Sequence, residues 1–444
     1  MRFKSTSSKN PTIQDSHFHK TTLKNGVRVL SESHPHSRAV SIGLWILTGT
    51  RHEPKGHEGV SHFLEHLVFK GTKSRSAFEI AKSLECLGGE LNAYTTREYT
   101  CYHAYALKEH WNVALDVLTD LVSNMAVKTS DFELERSVIL QEQSMAEDNI
   151  EELIFDLYFE KFLKDHPLGT PILGMKNSIS SMTQKKVQAY YRDRYQGPNI
   201  MVSATGPIDH GALVAEVDRL LKKKERKVGR VPSKAKLKPS HHQGTHVEDK
   251  PVEQLHILLG LPSASFNDRT RFEAFVVNAL LGGGMTSKLF QSIREKQGLA
   301  YSVFSSLNTF TDFGILNIYA ATEKDKAHQV MKTIRKELHR LKSHGIRKRE
   351  LDFFKTQVRG SLLLGSEDIE NRMSSIAVNE MVFGRYRPVD EVIEEVEAIS
   401  VVGVEEFMDK FFHLNRMGKM MIGGGAQELS AWFHDFDMSE TKEK

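Results

Sequence analysis

Apolar and polar residues alternate from Ser16 to Lys24 and again from Val27 to Ser33, on either side of Asn25-Gly26. Alternation with a period of two marks a strand with one buried face, and Asn-Gly is a strong turn signal, so the pattern predicts a β-hairpin. Ala39 to Leu47 reads as a third strand. Val60, Phe63, Leu64 and Leu67 then recur at helical spacing, and Gly71, just past Lys70, closes that helix. A second amphipathic helix is predicted from Ser76 to Leu87, broken by Gly88-Gly89, with paired strands at Glu90 to Thr96 and Thr100 to Leu107. Long helical stretches follow from Lys108 to Met125 and from Ser130 to Lys164.

Past the middle the same order returns. Val252 to Leu261 reads as a strand, and Asp268 to Leu281 as a helix ended by Gly282-Gly283-Gly284. A helix at Thr286 to Lys296, strands at Leu299 to Asn308 and Phe313 to Ala320, and helices at Lys324 to Lys342 and Arg347 to Leu364 complete it. Recurrence at a spacing of roughly 220 residues points to a duplicated unit. Lys222-Lys223-Lys224-Glu225-Arg226-Lys227, followed by Gly229, Pro232 and Pro239, has the composition of a linker, and the basic run reads as a solvated hinge. The expected organisation is a tail at 1–15, a first domain at 16–224, a linker at 225–245, a second domain at 246–430 and a tail at 431–444. The expected class is α+β, with two homologous α/β domains, each an antiparallel-rich sheet flanked by helices on one side.

Composition narrows the picture little. A chain of 444 residues with 39% apolar and 26% charged residues fits a soluble protein of two or more domains. A formal charge of +3 gives no reason to expect a nucleic-acid or membrane partner. No stretch of 18 apolar residues occurs, and the first twenty residues hold no secretory apolar run. The two cysteines, Cys86 and Cys101, give no disulfide framework and suit a reducing compartment, so the cytoplasm is expected. Met1 to Asn10 is basic and rich in Ser and Thr, but it lacks the apolar face of a mitochondrial targeting peptide and reads as a disordered tail.

Chemistry enters with His62-Phe63-Leu64-Glu65-His66. Two histidines four apart on a helix share a face and can grip one zinc ion, while Glu65 lies close enough to handle a proton of an attacking water. With 21 histidines in the chain a chance match is not negligible, so context must decide. A catalytic zinc needs a third protein ligand and an open position. Glu135 and Glu142 stand seven apart in a stretch free of Gly and Pro and share one helix face. One of them could bind metal while the other orients a histidine. The bland reading leaves both histidines as ordinary helix residues and Glu142 as a surface acid. No histidine occurs between His256 and His328, so the second unit cannot form a matching site.

Further motifs accompany the pentapeptide: Gly88-Gly89-Glu90-Leu91-Asn92-Ala93-Tyr94-Thr95, Glu135-Arg136-x-Val138-Ile139-Leu140 and His166-Pro167-Leu168-Gly169. In the second unit Leu281-Gly282-Gly283-Gly284-Met285 leads into Arg294-Glu295-Lys296-Gln297-Gly298-Leu299-Ala300-Tyr301-Ser302. From about residue 18 to 425 the chain resembles the pitrilysin/insulinase family of zinc peptidases, in particular its processing-peptidase branch. The resemblance implies His62, His66 and Glu142 as ligands of one Zn2+ per chain, Glu65 as general base and Glu135 as supporting acid. It implies pairs of α/β domains that close like a clam around a chamber, and at this length a homodimer, with a heterodimer as the alternative.

The resemblance also makes Asn92 and Ala93 the edge that receives substrate as an added strand, although Asn92 could equally cap the turn after Gly88-Gly89. Arg294 and Tyr301 match a pair that reaches across the closed chamber to the substrate and its developing oxyanion, where a lone Arg and Tyr would otherwise be structural. Glu152 and Asp156, four apart, match acids that receive a substrate arginine near the cleavage point, against a reading as solvated helix acids. The triple glycine lacks Gly-Lys-Ser/Thr and follows a helix, which excludes a phosphate loop. The function expected is a zinc-dependent endopeptidase acting on extended peptides. Its alternatives are a dedicated processing peptidase for N-terminal extensions and a non-catalytic scaffold subunit.

Overall fold

The structure is a computed structural model that describes residues 17–164, 166–222 and 239–439. The tail expected at 1–15, most of the linker at 225–245 and all of the lysine run after Lys222 lie outside the described residues. The first half opens with β1 (Phe18–Thr22), β2 (Arg28–Ser33) and β3 (Ala39–Ile46), then α1 (Val60–Val68), α2 (Ala77–Glu85), β4 (Glu90–Thr95) and β5 (Thr100–Leu107). It continues with α3 (Trp111–Asn124), α4 (Thr129–Asp148), α5 (Ile150–Phe162), α6 (Lys176–Ser181), α7 (Gln184–Arg194), β6 (Ile200–Gly206) and α8 (His210–Leu221).

The second half repeats this order. It has β7 (Gly244–Asp249), β8 (Leu255–Ser263), α9 (Arg271–Gly282), a π-helical segment (Phe290–Glu295), β9 (Ala300–Thr309) and β10 (Gly314–Thr322). Then come α10 (Ala327–His344), α11 (Lys348–Ser366), α12 (Ile369–Phe383), α13 (Val389–Ala398), α14 (Val401–Phe411), β11 (Gly418–Gly423) and α15 (Ser430–Asp435). The sheets run β1-β2-β6-β3-β5-β4 and β7-β11-β8-β10-β9. In each, one parallel pair (β2 with β6, β7 with β11) is followed by antiparallel pairing out to an edge strand, β4 or β9. The sheets match strand for strand except for β1, as duplication requires.

Each sheet buries one face under helices of its own half. In the first, Ile42, Leu44, Phe63, Leu64, Leu118 and Val202 belong to one core. In the second, Ile257, Leu259, Val277, Ile318 and Ile334 belong to another.

The opposite faces are closed by exchange. α5, from the first half, lays Ile154, Tyr158, Phe159 and Phe162 against Leu258, Ile315, Tyr319 and Met420 of the second sheet. α12, from the second half, lays Met373, Ile376 and Ala377 against Leu30, Trp45, Cys101 and Met201 of the first. The two helices hold equivalent places in the repeat: their caps, Asn149 and Asp368, stand roughly 220 residues apart. Polar contacts reinforce the exchange. Arg372 of α12 reaches Glu32 of β2 with Nε at 3.1 Å and Nη2 at 2.5 Å, both side chains buried. Glu380, further along α12 and also buried, accepts from Lys20 at 2.7 Å and Arg28 at 3.2 Å. The β9–β10 turn is tied to the first half where Arg51 forks onto Asp312 at 3.0 and 2.9 Å.

Three expectations change. The stretch expected as one helix from Ser130 to Lys164 breaks at Asn149, whose backbone is extended, and this redirects α5 onto the second sheet. Asp148-Asn149 is a pair of weak helix formers, and burial of α5 elsewhere decides the direction. The expected tail at 431–444 instead contributes part of α15, with Phe433 fully buried and Phe436 and Met438 nearly so. Inside the expected helix from Thr286 to Lys296, Phe290–Glu295 winds as a π-helix. Among the described residues no helix is long and apolar enough to cross a membrane.

Candidate active site

α1 is held between the first sheet and α4. Phe63, Leu64 and Leu67 point into the core, and Phe63 stacks on Phe132 of α4 with ring centroids 4.8 Å apart. That packing turns the other face of α1, with His62, Glu65 and His66, toward α4 and the end of β4. Arg136 fixes the start of α4 by donating to the carbonyls of Ile179 at 2.6 Å and Met182 at 2.7 Å, at the end of α6.

His62, His66 and Glu142 each offer a ligand atom, and these atoms lie within 4.8 Å of one another. Glu142 Oε2 is 3.5 Å from His66 Nε2 and 3.9 Å from His62 Nε2. Two imidazoles and one carboxylate are a donor set that suits zinc with a position left open. His62 is buried, and loss of water, then the neighbouring His66, push its imidazole down to about 3. It is therefore neutral at ordinary pH, the form a ligand needs. Glu135 does not join the cluster. Its Oε2 meets His66 Nδ1 at 3.1 Å and its Oε1 pairs with Lys70 Nζ at 2.7 Å, so it orients the ring from behind.

Glu65 sits between the cluster and the sheet, accepting from the Thr95 hydroxyl at 2.5 Å. Burial raises its carboxyl above the ordinary value, outweighing the Thr95 hydrogen bond and the His66 charge. β4, which ends at Thr95, pairs only with β5 among the described residues, so its outer edge is open. Asn92 is exposed in mid-strand, opposite His103, and its Oδ1 accepts from the Ala93 N–H at 2.8 Å. It caps no turn after Gly88-Gly89.

The remaining residues lie elsewhere. Asp156 and Glu152 are on α5, past the break at Asn149, and not on the helix of Glu142. Asp156 is engaged by Arg97 Nη2 at 3.1 Å, while Glu152 is exposed. Burial still raises the Asp156 carboxyl despite that cation. His166-Pro167-Leu168-Gly169 supplies the Leu168 carbonyl that takes Arg97 Nε at 3.0 Å. Arg294 and Tyr301 do form a pair, with the guanidinium carbon 4.5 Å from the ring centre, and Tyr301 is 77% exposed. Among the described residues no hydrogen bond, ion pair or ring contact joins them to the metal cluster. Gly282 explains part of the glycine run: a Cβ there would strike the backbone of β9 at Ser305, so the glycine permits close packing.

Sequence reasoning missed four residues at the site. Lys70, four after His66, carried a signal, since that spacing puts it on the ligand face. Thr95 and Arg97 carried none beyond lying in or beside a motif. Glu53 lies in the loop before α1 and accepts the N–H groups of Gly59 and Ser61, each at 2.7 Å. Removal from water pushes its carboxyl up to about 7, against the pull of those donors.

Comparison with known proteins gives the chain its family. Residues 28–176 match the insulinase family of peptidases, M16, and residues 181–358 match that family's inactive domain. The chain is 37% identical over 395 residues to the uncharacterized zinc protease YmxG of Bacillus subtilis, covering 88% of this chain and 95% of that protein. The chain belongs to peptidase family M16. Another relative, the uncharacterized zinc protease ML0855 of Mycobacterium leprae, is 34% identical over 409 residues, 91% of each chain. The fold is shared with a protease from Helicobacter pylori, with a TM-score of 0.85 at 21% identity over 91% of this chain and 99% of that one. His62, His66 and Glu142 all fall within the residues matched by the peptidase model and outside those matched by the inactive domain.

Proposed function

We propose that the chain is a zinc-dependent endopeptidase that hydrolyses extended peptides laid along the free edge of β4, with one zinc ion per chain. The observation that carries this reading is the convergence of two imidazoles, a carboxylate and Glu65 at the end of a strand with one free edge among the described residues. An open edge offers main-chain hydrogen bonds to any extended peptide, whatever its side chains. A peptide held beside Asn92 and Ala93 brings a carbonyl toward Thr95, where Glu65 stands. Zinc, when bound, supplies a Lewis acid and makes the attacking water more acidic. Glu65 takes the water's proton and passes it to the leaving amine. His66 is kept in line by Glu135, and Glu152 is the freer of the two α5 acids to meet a basic substrate side chain.

Hydrolysis of an unstructured peptide is expected to fall to background with a zinc chelator and to return when zinc is restored. Hydrolysis that continues unchanged in the chelator refutes the metal mechanism, and a zinc-loaded chain that cleaves nothing favours the scaffold alternative.

We further propose that a second copy of the chain completes the site. β9 meets the first half at Phe304, which stacks on Phe155 of α5, and just past its C-terminal end, where Thr311 donates to Glu98. Tyr301 stands eight residues before Thr309, about 26 Å back along the strand. The exchanged helices fasten the halves together, which opposes closure within one chain. Arg294 and Tyr301 are therefore assigned to the partner's site in a homodimer, whose facing halves form the chamber.

Mixing two inactive variants tests this. Glu65→Gln and Arg294→Ala should each be inactive alone, while subunit exchange between them restores about a quarter of wild-type activity through hybrids with one intact site. A mixture as inactive as its parts, or a mass near that of one chain in gel filtration, counts against the shared site.

A further inference from the structure

We infer that Glu53 is a positioning residue for the metal helix: its carboxylate clamps the first turn of α1 and so sets where His62 presents its ligand nitrogen. This rests on the endopeptidase reading above. The two ligands of α1 are supported differently. His66 is held through its side chain, by Glu135 at Nδ1. His62 Nδ1 is buried and has no hydrogen-bond partner among the described residues. The direction of the His62 ring is therefore set by packing and by the backbone that carries it.

That backbone is the first turn of a nine-residue helix, and Glu53 holds it. Gly59 is the cap, in the left-handed region at φ +94°, where its missing side chain leaves the helix without a capping group of its own. Glu53 supplies the function from outside: Oε2 accepts from Gly59 and Oε1 from Ser61, the residue before His62. A Cβ on Gly59 would also strike Gly174 and Ile179, so no side chain fits at the cap position. The Ser61 hydroxyl is 3.1 Å from the Tyr190 hydroxyl, which is 3.1 Å from that of Thr48 in turn. Glu53 is thus one end of a polar chain anchored in α7 and in the loop that follows β3. Only a carboxylate can accept both N–H groups, because an amide would turn a donor toward one of them.

The test compares zinc affinity by chelator competition, the visible spectrum of the cobalt-substituted protein and the thermal midpoint without metal. E53Q is expected to weaken zinc binding about tenfold and to alter the cobalt spectrum, with E53D intermediate. Asp209→Ala, which removes the side-chain cap on Ala212 at the start of α8, is expected to lower the midpoint but leave zinc affinity and the cobalt spectrum unchanged. An E53Q protein that binds zinc and cobalt like wild type overturns the clamp. Should E53Q fail to fold, wild-type zinc affinity in E53D overturns it. Peptide hydrolysis by the wild type is read separately, so its absence defeats the endopeptidase reading and not the clamp.

Discussion

Glu65→Gln should lower kcat by about a thousandfold or more while zinc content and KM stay near wild type. Glutamine is close in size to glutamate and can still accept the Thr95 hydroxyl hydrogen bond. It cannot take a proton from water or return one to the leaving amine. Neither His62, His66 nor Glu142 bonds to the changed group among the described residues, so the metal should remain. Steady-state kinetics on a quenched peptide, with metal analysis of the same preparation, checks both halves of the expectation. Activity within about tenfold of wild type would place the base elsewhere.

The second large effect concerns stability. Arg372→Ala should destabilise the fold by about 3–5 kcal/mol, because it strands the buried Glu32 carboxylate at the junction of α12 and β2. Burial alone would raise the Glu32 carboxyl, but hydrogen bonds from His34 and Arg372 outweigh it and hold the group below its ordinary 4.5. A depressed acid adds stability that is complete above the unfolded value and fades as pH falls through the folded one. The gap between wild type and variant should therefore be widest near neutral pH and narrow below about 4.5. Replacing both residues, as Glu32→Leu with Arg372→Met, should recover most of the loss, since no charge is then left unpaired. Denaturant unfolding at two pH values measures this. A single variant as stable as wild type would show that the exchanged helix does not depend on the pair.

The candidate metal site was legible because the spacing of its residues within each helix is local. His62 and His66 are one turn apart, Glu135 and Glu142 two turns, and a helix fixes which faces they share. The sheet order was less legible at its middle. β6 and β11 are buried along their whole length, so Ile200-Met201-Val202 and Met420-Met421-Ile422 show no alternation to read. They are covered on both sides because α5 and α12 close the second faces, and nothing local in sequence announces a helix that packs on a distant sheet. The break at Asn149 carried a faint signal in Asp148-Asn149. Glu53 carried almost none, since a loop acid that caps a helix six residues away follows no period.

The exchange of α5 and α12 also bears on ancestry. A half-length precursor with this element order would have left one face of its sheet bare unless it traded that helix with a twin. Joining two such copies in one chain turns a trade between molecules into a trade within one. Each half then depends on the other for folding, but only one need keep its ligands, and the other is released to diverge. A second half with no matching histidine–carboxylate cluster among its described residues is the outcome such a fusion permits.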